Sequence, residues 1–220
     1  MTNIIDEKQF EGLTDKEKEI AIQILNEFSK NGKSEKYDEL IYADYAEVPV
    51  DIETFLKDRK YLGNGLINDD GKFTIFPYWI ETLKKIFPTN TDTAYSTLVL
   101  TGGIGLGKSL VAVLCILYMM YRMMCLKNPY VYYGLQQIDH ITFSFINITM
   151  DAAKGVAWAK CQELLKCSPW FLEHGTLSKS QDPEWQPNGG IELIYGSLPR
   201  HIIGRAVFAS FEDEISFQPN

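Results

Sequence analysis

The run Thr101-Gly102-Gly103-Ile104-Gly105-Leu106-Gly107-Lys108-Ser109 constrains this chain more than any other feature. Before it lies Ser96–Thr101, a short β-rich stretch without charge, and after it an unbroken apolar run, Leu110–Tyr121. Strand, glycine loop and helix in that order form the context in which G-x-x-x-x-G-K-S acts as a phosphate cradle. Glycine allows backbone angles and a close approach that a Cβ would forbid. The loop can then turn successive N–H groups inward, and the start of the helix adds the positive end of its dipole. Lys108 supplies a point charge for β- and γ-phosphate oxygens, and the Ser109 hydroxyl is a ligand for Mg²⁺. Gly102, Gly103, Ile104, Gly105, Leu106, Gly107, Lys108 and Ser109 are therefore expected to bind ATP or a related nucleoside triphosphate with Mg²⁺. Gly103-x-Gly105 also begins like a dinucleotide fingerprint. The third glycine of that pattern would fall on Lys108, and no acid occurs between Gly103 and Asp139, so the cofactor reading fails.

A P-loop needs a second group on the metal side. Val207–Phe211 reads as an uncharged strand ending in Glu212-Asp213-Glu214. An acid at the C-terminal edge of such a strand lies where open α/β sheets bind their ligands. Asp213 is expected to hold Mg²⁺, largely through its water shell, and Glu214 to polarise the attacking water. A register shifted by two would promote Glu212 instead. Arg200 and Arg205 stand before that strand, and either could reach a γ-phosphate, if need be of a neighbouring subunit; a structural ion pair is the alternative. Phe73–Trp79 could offer an aromatic face to a base or simply pack in the core.

Strands alternating with helices predict a mainly parallel α/β sheet flanked by helices, preceded by a small helical segment. The expected domains are 1–47, helical, and 48–220, the P-loop domain. Thr14-x-x-Glu17 is a capping box opening a helix that stops at Asn31-Gly32, and a second helix covers Glu35–Tyr42. Further helices are expected at Asp51–Gly63, Tyr78–Phe87, Lys108–Leu126 and Asp151–Lys166. Strands are expected at Ser96–Thr101, His140–Thr149, Ile191–Tyr195 and Ala206–Phe211, with a loop over Gly63–Gly71. The apolar run after Ser109 is too short for a bilayer, which needs ~20 residues, so it reads as a buried helix. The N-terminus carries no secretory pattern, and four unpatterned cysteines read as reduced core residues. A net charge of −8, with the acids concentrated in the first 60 residues, argues against a broad nucleic-acid-binding face but leaves room for a local basic strip.

From about Val48 onward the chain resembles the ATPase domain of the large terminase subunit of tailed bacteriophages. The likeness rests on Val50–Leu56, Phe76-Pro77-Tyr78, the P-loop with its long apolar helix, and Ser168-Pro169-Trp170-Phe171. It continues through Gly196-Ser197 and Ile203-Gly204-Arg205 into Phe211–Glu214. The resemblance implies an ATP-driven motor that packs double-stranded DNA into procapsids as a homo-oligomeric ring. Its implied partners are a portal protein and a small terminase subunit, in the cytoplasm of an infected bacterium and transiently docked on the procapsid, with no membrane. Family P-loops often carry an internal arginine that this loop lacks, which makes an arginine from a neighbour more plausible. No nuclease domain lies within the 220 residues. The family's sheet order also implies one more strand between the P-loop strand and the acidic strand, later in sequence than Glu214. Too few residues follow for a crossover. The P-loop domain is therefore expected to be truncated at its C-terminal end, with no direct pairing between 97–101 and 207–211. A helicase-like DNA motor and a nucleotide-dependent switch are the alternatives; the switch lacks an N-K-x-D guanine-reading motif.

Overall fold

The structure is a computed structural model that describes residues 14–103, 105–137, 140–177, 185–187, 190–197 and 204–213. The chain divides into two units, Met1–Tyr45 and Ala46–Asn220. In the first unit, α1 (Asp15–Asn31) forms behind its capping box: Glu17 N donates to Thr14 Oγ1, and Thr14 N donates to Glu17 Oε2 at 2.7 Å. Gly32 closes the helix in the left-handed region, at φ 69°, where a side chain would be strained. Ser34 caps α2 (Glu35–Ile41) and donates to Glu27 at 2.6 Å. Neither helix buries a residue fully, and Phe28 and Tyr37 meet edge to face at 5.3 Å.

The second unit begins with α3 (Ile52–Lys57), capped by Asp51, whose carboxylate accepts from the amides of Glu53 and Thr54. The expected loop at Gly63–Gly71 opens instead with a helical turn, α4 (Gly63–Leu66). Gly63 is buried there, and a Cβ on it would stand 2.4 Å from the Lys57 carbonyl oxygen, so close backbone approach is what the glycine provides. Pro77 opens α5 (Pro77–Ile86), and α6 (Lys108–Met124) is the apolar helix expected after the P-loop. Most of α6 is buried, including Val113, Leu114, Leu117, Tyr118 and Met120. Its Tyr121 stacks on Phe55 at 4.8 Å and meets Trp170 edge-on at 4.7 Å, so α6 forms the axis of an aromatic core. A short α7 (Pro129–Tyr133), capped by Asn128 and closed by Gly134, follows.

Among the described residues, β1 (Ile141–Ile146), β2 (Gly175–Leu177), β3 (Trp185–Pro187), β4 (Ile191–Gly196) and β5 (Ala206–Glu212) form one sheet in the order β2-β3-β4-β1-β5. Strands β4, β1 and β5 are parallel, as expected; β1 is buried throughout, whereas β5, on the edge, is largely exposed rather than a core strand. Between β1 and β4 run α8 (Met150–Ala153), a π-helical turn (Lys154–Trp158), α9 (Ala159–Cys167) and α10 (Pro169–His174). Two short antiparallel strands, β2 (Gly175–Leu177) and β3 (Trp185–Pro187), extend the sheet beyond β4; their brevity left no periodic signal.

The P-loop lead-in also departs from expectation. Ser96–Thr101 is not a strand: it enters no ladder among the described residues, and Val99 is 78% exposed. Strand structure needs a hydrogen-bonded neighbour, and β5, at the end of the sheet, pairs only with β1 there. No backbone ladder joins 97–101 to 207–211, so the direct contact judged incompatible with this sheet is absent.

Candidate nucleotide site

Gly102, Gly105 and Gly107 hold φ values of 131°, 85° and 82°, which residues with a Cβ rarely adopt. At Gly102 a Cβ would also come within 2.9 Å of the Leu106 side chain. Gly103 has neither constraint, and Ile104 lies outside the described residues. Gly107 is the N-cap of α6 and offers no side chain to its first amides. The first turn's unpaired N–H groups, together with the helix dipole, are what an anion would meet there. Lys108 opens α6 and turns back over the loop, where Nζ donates to the carbonyls of Gly102 and Gly103, each at 2.8 Å. The ammonium thus stands at the mouth of the loop. Ser109 follows, half-buried, on the first turn.

Trp79 on α5 is a site residue that sequence reading left between two roles. Its indole N–H donates to the Leu106 carbonyl at 2.6 Å, and Nε1 lies 3.6 Å from where a Gly107 Cβ would sit. Trp79 braces the back of the loop, while Tyr78 beside it is 71% exposed. No composition rule separates those neighbours; only the direction in which α5 faces the loop does.

On the sheet side, β5 ends at Glu212, and the Asp213 amide donates to the Ile146 carbonyl at 2.9 Å. Asp213 is therefore fixed to the C-terminal end of β1, the edge where parallel strands present ligand groups. β5 also packs on α6. Glu214 and Arg200 lie outside the described residues. Arg205 stands at the other end of β5, roughly 25 Å of extended chain from Asp213 at ~3.3 Å per residue. Its guanidinium is ion-paired with Glu192, whose side chain is 3% exposed. Within its own chain Arg205 is thus not among the groups at the phosphate end.

The loop geometry, the lysine and the helix N-terminus that nothing caps define a nucleotide-binding P-loop domain. Residues 18–195 match the family described as "Uncharacterized protein MJ0330, N-terminal P-loop domain", and the chain belongs to that family. The match ends before β5, so the assignment of Asp213 rests on geometry alone. No curated protein and no solved structure matches the chain. Among the described residues, no helix is long and apolar enough to cross a membrane.

Proposed function

We propose that this chain is a Mg²⁺-dependent ATPase domain and that it serves as the motor of a phage-type DNA-packaging terminase. The observation that supports the ATPase reading most is Lys108 folded over a glycine loop whose helix start has no capping side chain. Loop amides and Lys108 would hold the β- and γ-phosphates, and Ser109 and Asp213 would hold Mg²⁺. When bound, Mg²⁺ neutralises charge developing on the phosphate oxygens. Glu214 would take hydrogen bonds from the attacking water and accept its proton. Arg200 is the candidate to reach the γ-phosphate of a neighbouring subunit in a ring.

The terminase assignment rests on the flanking segments Val50–Leu56, Phe76-Pro77-Tyr78 and Ser168–Phe171, and on the glycine and arginine that lead into the acidic strand. Double-stranded DNA, a portal protein, a small terminase subunit and further copies of the chain are the partners it brings. The helicase-like and switch readings share the P-loop without those segments.

Hydrolysis assays on assembled protein test the reading. Glu214→Gln is expected to keep ATP binding and lose hydrolysis by ~10² or more. A defect from Glu212→Gln with none from Glu214→Gln would move the catalytic role two residues back. Double-stranded DNA is expected to stimulate hydrolysis; a preference for GTP with no response to DNA would favour the switch.

A further inference from the structure

Buried Glu192 and Thr142 and the more exposed Arg205 form a polar cluster at the N-terminal end of the parallel strands. Glu192 on β4 and Thr142 on β1 are register partners, and both are buried, at 2% and 0% exposure. The Thr142 hydroxyl donates to Glu192 Oε1, and Arg205 Nη1 bonds the same oxygen. His140 Nδ1 stands 3.9 Å from Glu192 Oε2 and is half exposed. Glu192 and Arg205 lie on opposite sides of β1, two strand spacings or about 10 Å apart, a span only a long cationic side chain can bridge. The bond therefore links the first and third of the three parallel strands across the middle one.

Its position along β5 gives it a consequence. Thr142 pairs with Val207, but the next residue of β1, Phe143, pairs with Ala209, so Phe208 is an extra residue in β5. A bulge bends a strand, increases its local twist and re-aims the side chains that follow. Arg205 precedes the bulge, and Asp213 follows it. The Ser144–Ser210 hydroxyl bond, at 2.8 Å, and the Asp213–Ile146 backbone bond fix the far half of β5. The near half is held by the ladder pairs Ile141–Ala206 and Thr142–Val207, and Arg205 adds a tie that reaches past β1 to β4.

We propose that Arg205 is a positioning residue: through Glu192 it supports the register of β5 before the bulge, and with it the place of Asp213 at the metal. This rests on Asp213 being the metal-side acid. A phosphate-contacting finger would lower turnover without altering metal dependence, whereas a register device acts through the metal.

The test measures the Mg²⁺ dependence of binding of a fluorescent ATP analogue, alongside Mg²⁺-free binding and thermal melting. Arg205→Gln and Glu192→Gln are each expected to raise the half-saturating Mg²⁺ concentration several-fold, short of the ~10-fold or more lost with a metal ligand's direct hydrogen-bond partner, leaving Mg²⁺-free binding unchanged. Arg205→Lys, keeping charge and reach, is expected to recover most of the shift. The double variant is expected to be no worse than either single one, because both remove the same bond. Unchanged Mg²⁺ dependence in folded Arg205→Gln overturns the proposal, as does full additivity in the double variant. So does rescue of Arg205→Ala subunits by mixing them with Glu214→Gln subunits, the mark of a finger acting in trans. Asp213→Asn is the control: if it fails to shift the Mg²⁺ requirement, the metal assignment falls, whatever Arg205 does.

Discussion

At the scale of single residues, the P-loop separates positions fixed by backbone from positions fixed by charge. Gly102, Gly105 and Gly107 are held by positive φ, and this much was written in the glycine spacing. The brace from Trp79 was not, because it depends on which face of α5 meets the loop. Trp79→Phe keeps the ring and removes the donor to Leu106, leaving a carbonyl that shaped the loop unpartnered by the indole. A neutral hydrogen bond contributes ~1 kcal/mol, so triphosphate affinity should fall about fivefold. Titration of a fluorescent ATP analogue reads this; an unchanged affinity would show that the loop holds its shape without Trp79. Arg205 teaches the converse. Beside an acidic strand it reads as a catalytic group, and only the pairing across β1 reveals the buried acid that it answers.

Among the elements, α6 ties the phosphate loop to the core. Tyr121 Oη accepts from the Val50 amide, and Tyr118 Oη donates to the Val50 carbonyl, both at 2.8 Å. Two residues on adjacent turns thus clamp both backbone polar groups of Val50, in the chain leading into α3. Burial pushes the Tyr121 phenol well above its ordinary pKa, so it remains neutral across the physiological range. Tyr121→Phe strands the Val50 amide and should cost about 1–3 kcal/mol of stability, measured by denaturant unfolding. A loss under a few tenths would mean that water replaces the phenol. Burial likewise pushes the Cys115 and Cys125 thiols up to about 12, which keeps them unreactive at neutral pH, whereas Cys167 is exposed. In native protein a thiol reagent should therefore modify Cys167 first; rapid labelling of Cys115 would contradict the packing of α6. These helices were legible because their apolar periodicity and caps are local. Asn128-Pro129 and Gly134, which bound α7, are equally local signals, but the helix between them is too short to show a period. The turn at α4 was hidden because Asn64-Gly65 reads as a turn signal, and the backbone of Lys57 and Asp58 folding back onto Gly63 leaves no mark in composition.

For the molecule as a whole, the parallel sense of the sheet followed from strands alternating with helices, but the order β4-β1-β5, the exposure of β5 at the sheet edge and the place of the P-loop lead-in did not. Ser96–Thr101 has the composition of a core strand, yet Leu98 and Val99 face solvent and no ladder holds them. Composition states what a segment can pair with and not whether a partner stands beside it. Hydrogen exchange should show this directly. Amides of β1, paired on both sides, should be the slowest in the chain, and those of residues 97–100 among the fastest. Protection of 97–100 equal to that of β1 would mean that the lead-in is laddered in solution.

The central claim is that the loop at Gly102–Ser109 takes a triphosphate with Mg²⁺, and calorimetric titration with ATP and Mg²⁺ tests it most directly. The wild-type chain should bind one ATP per chain, with affinity lost on chelating Mg²⁺. Lys108→Ala should weaken binding about 10–100-fold, the 1.5–3 kcal/mol of a charge-assisted contact. Equal ATP affinity in wild type and Lys108→Ala would contradict the account.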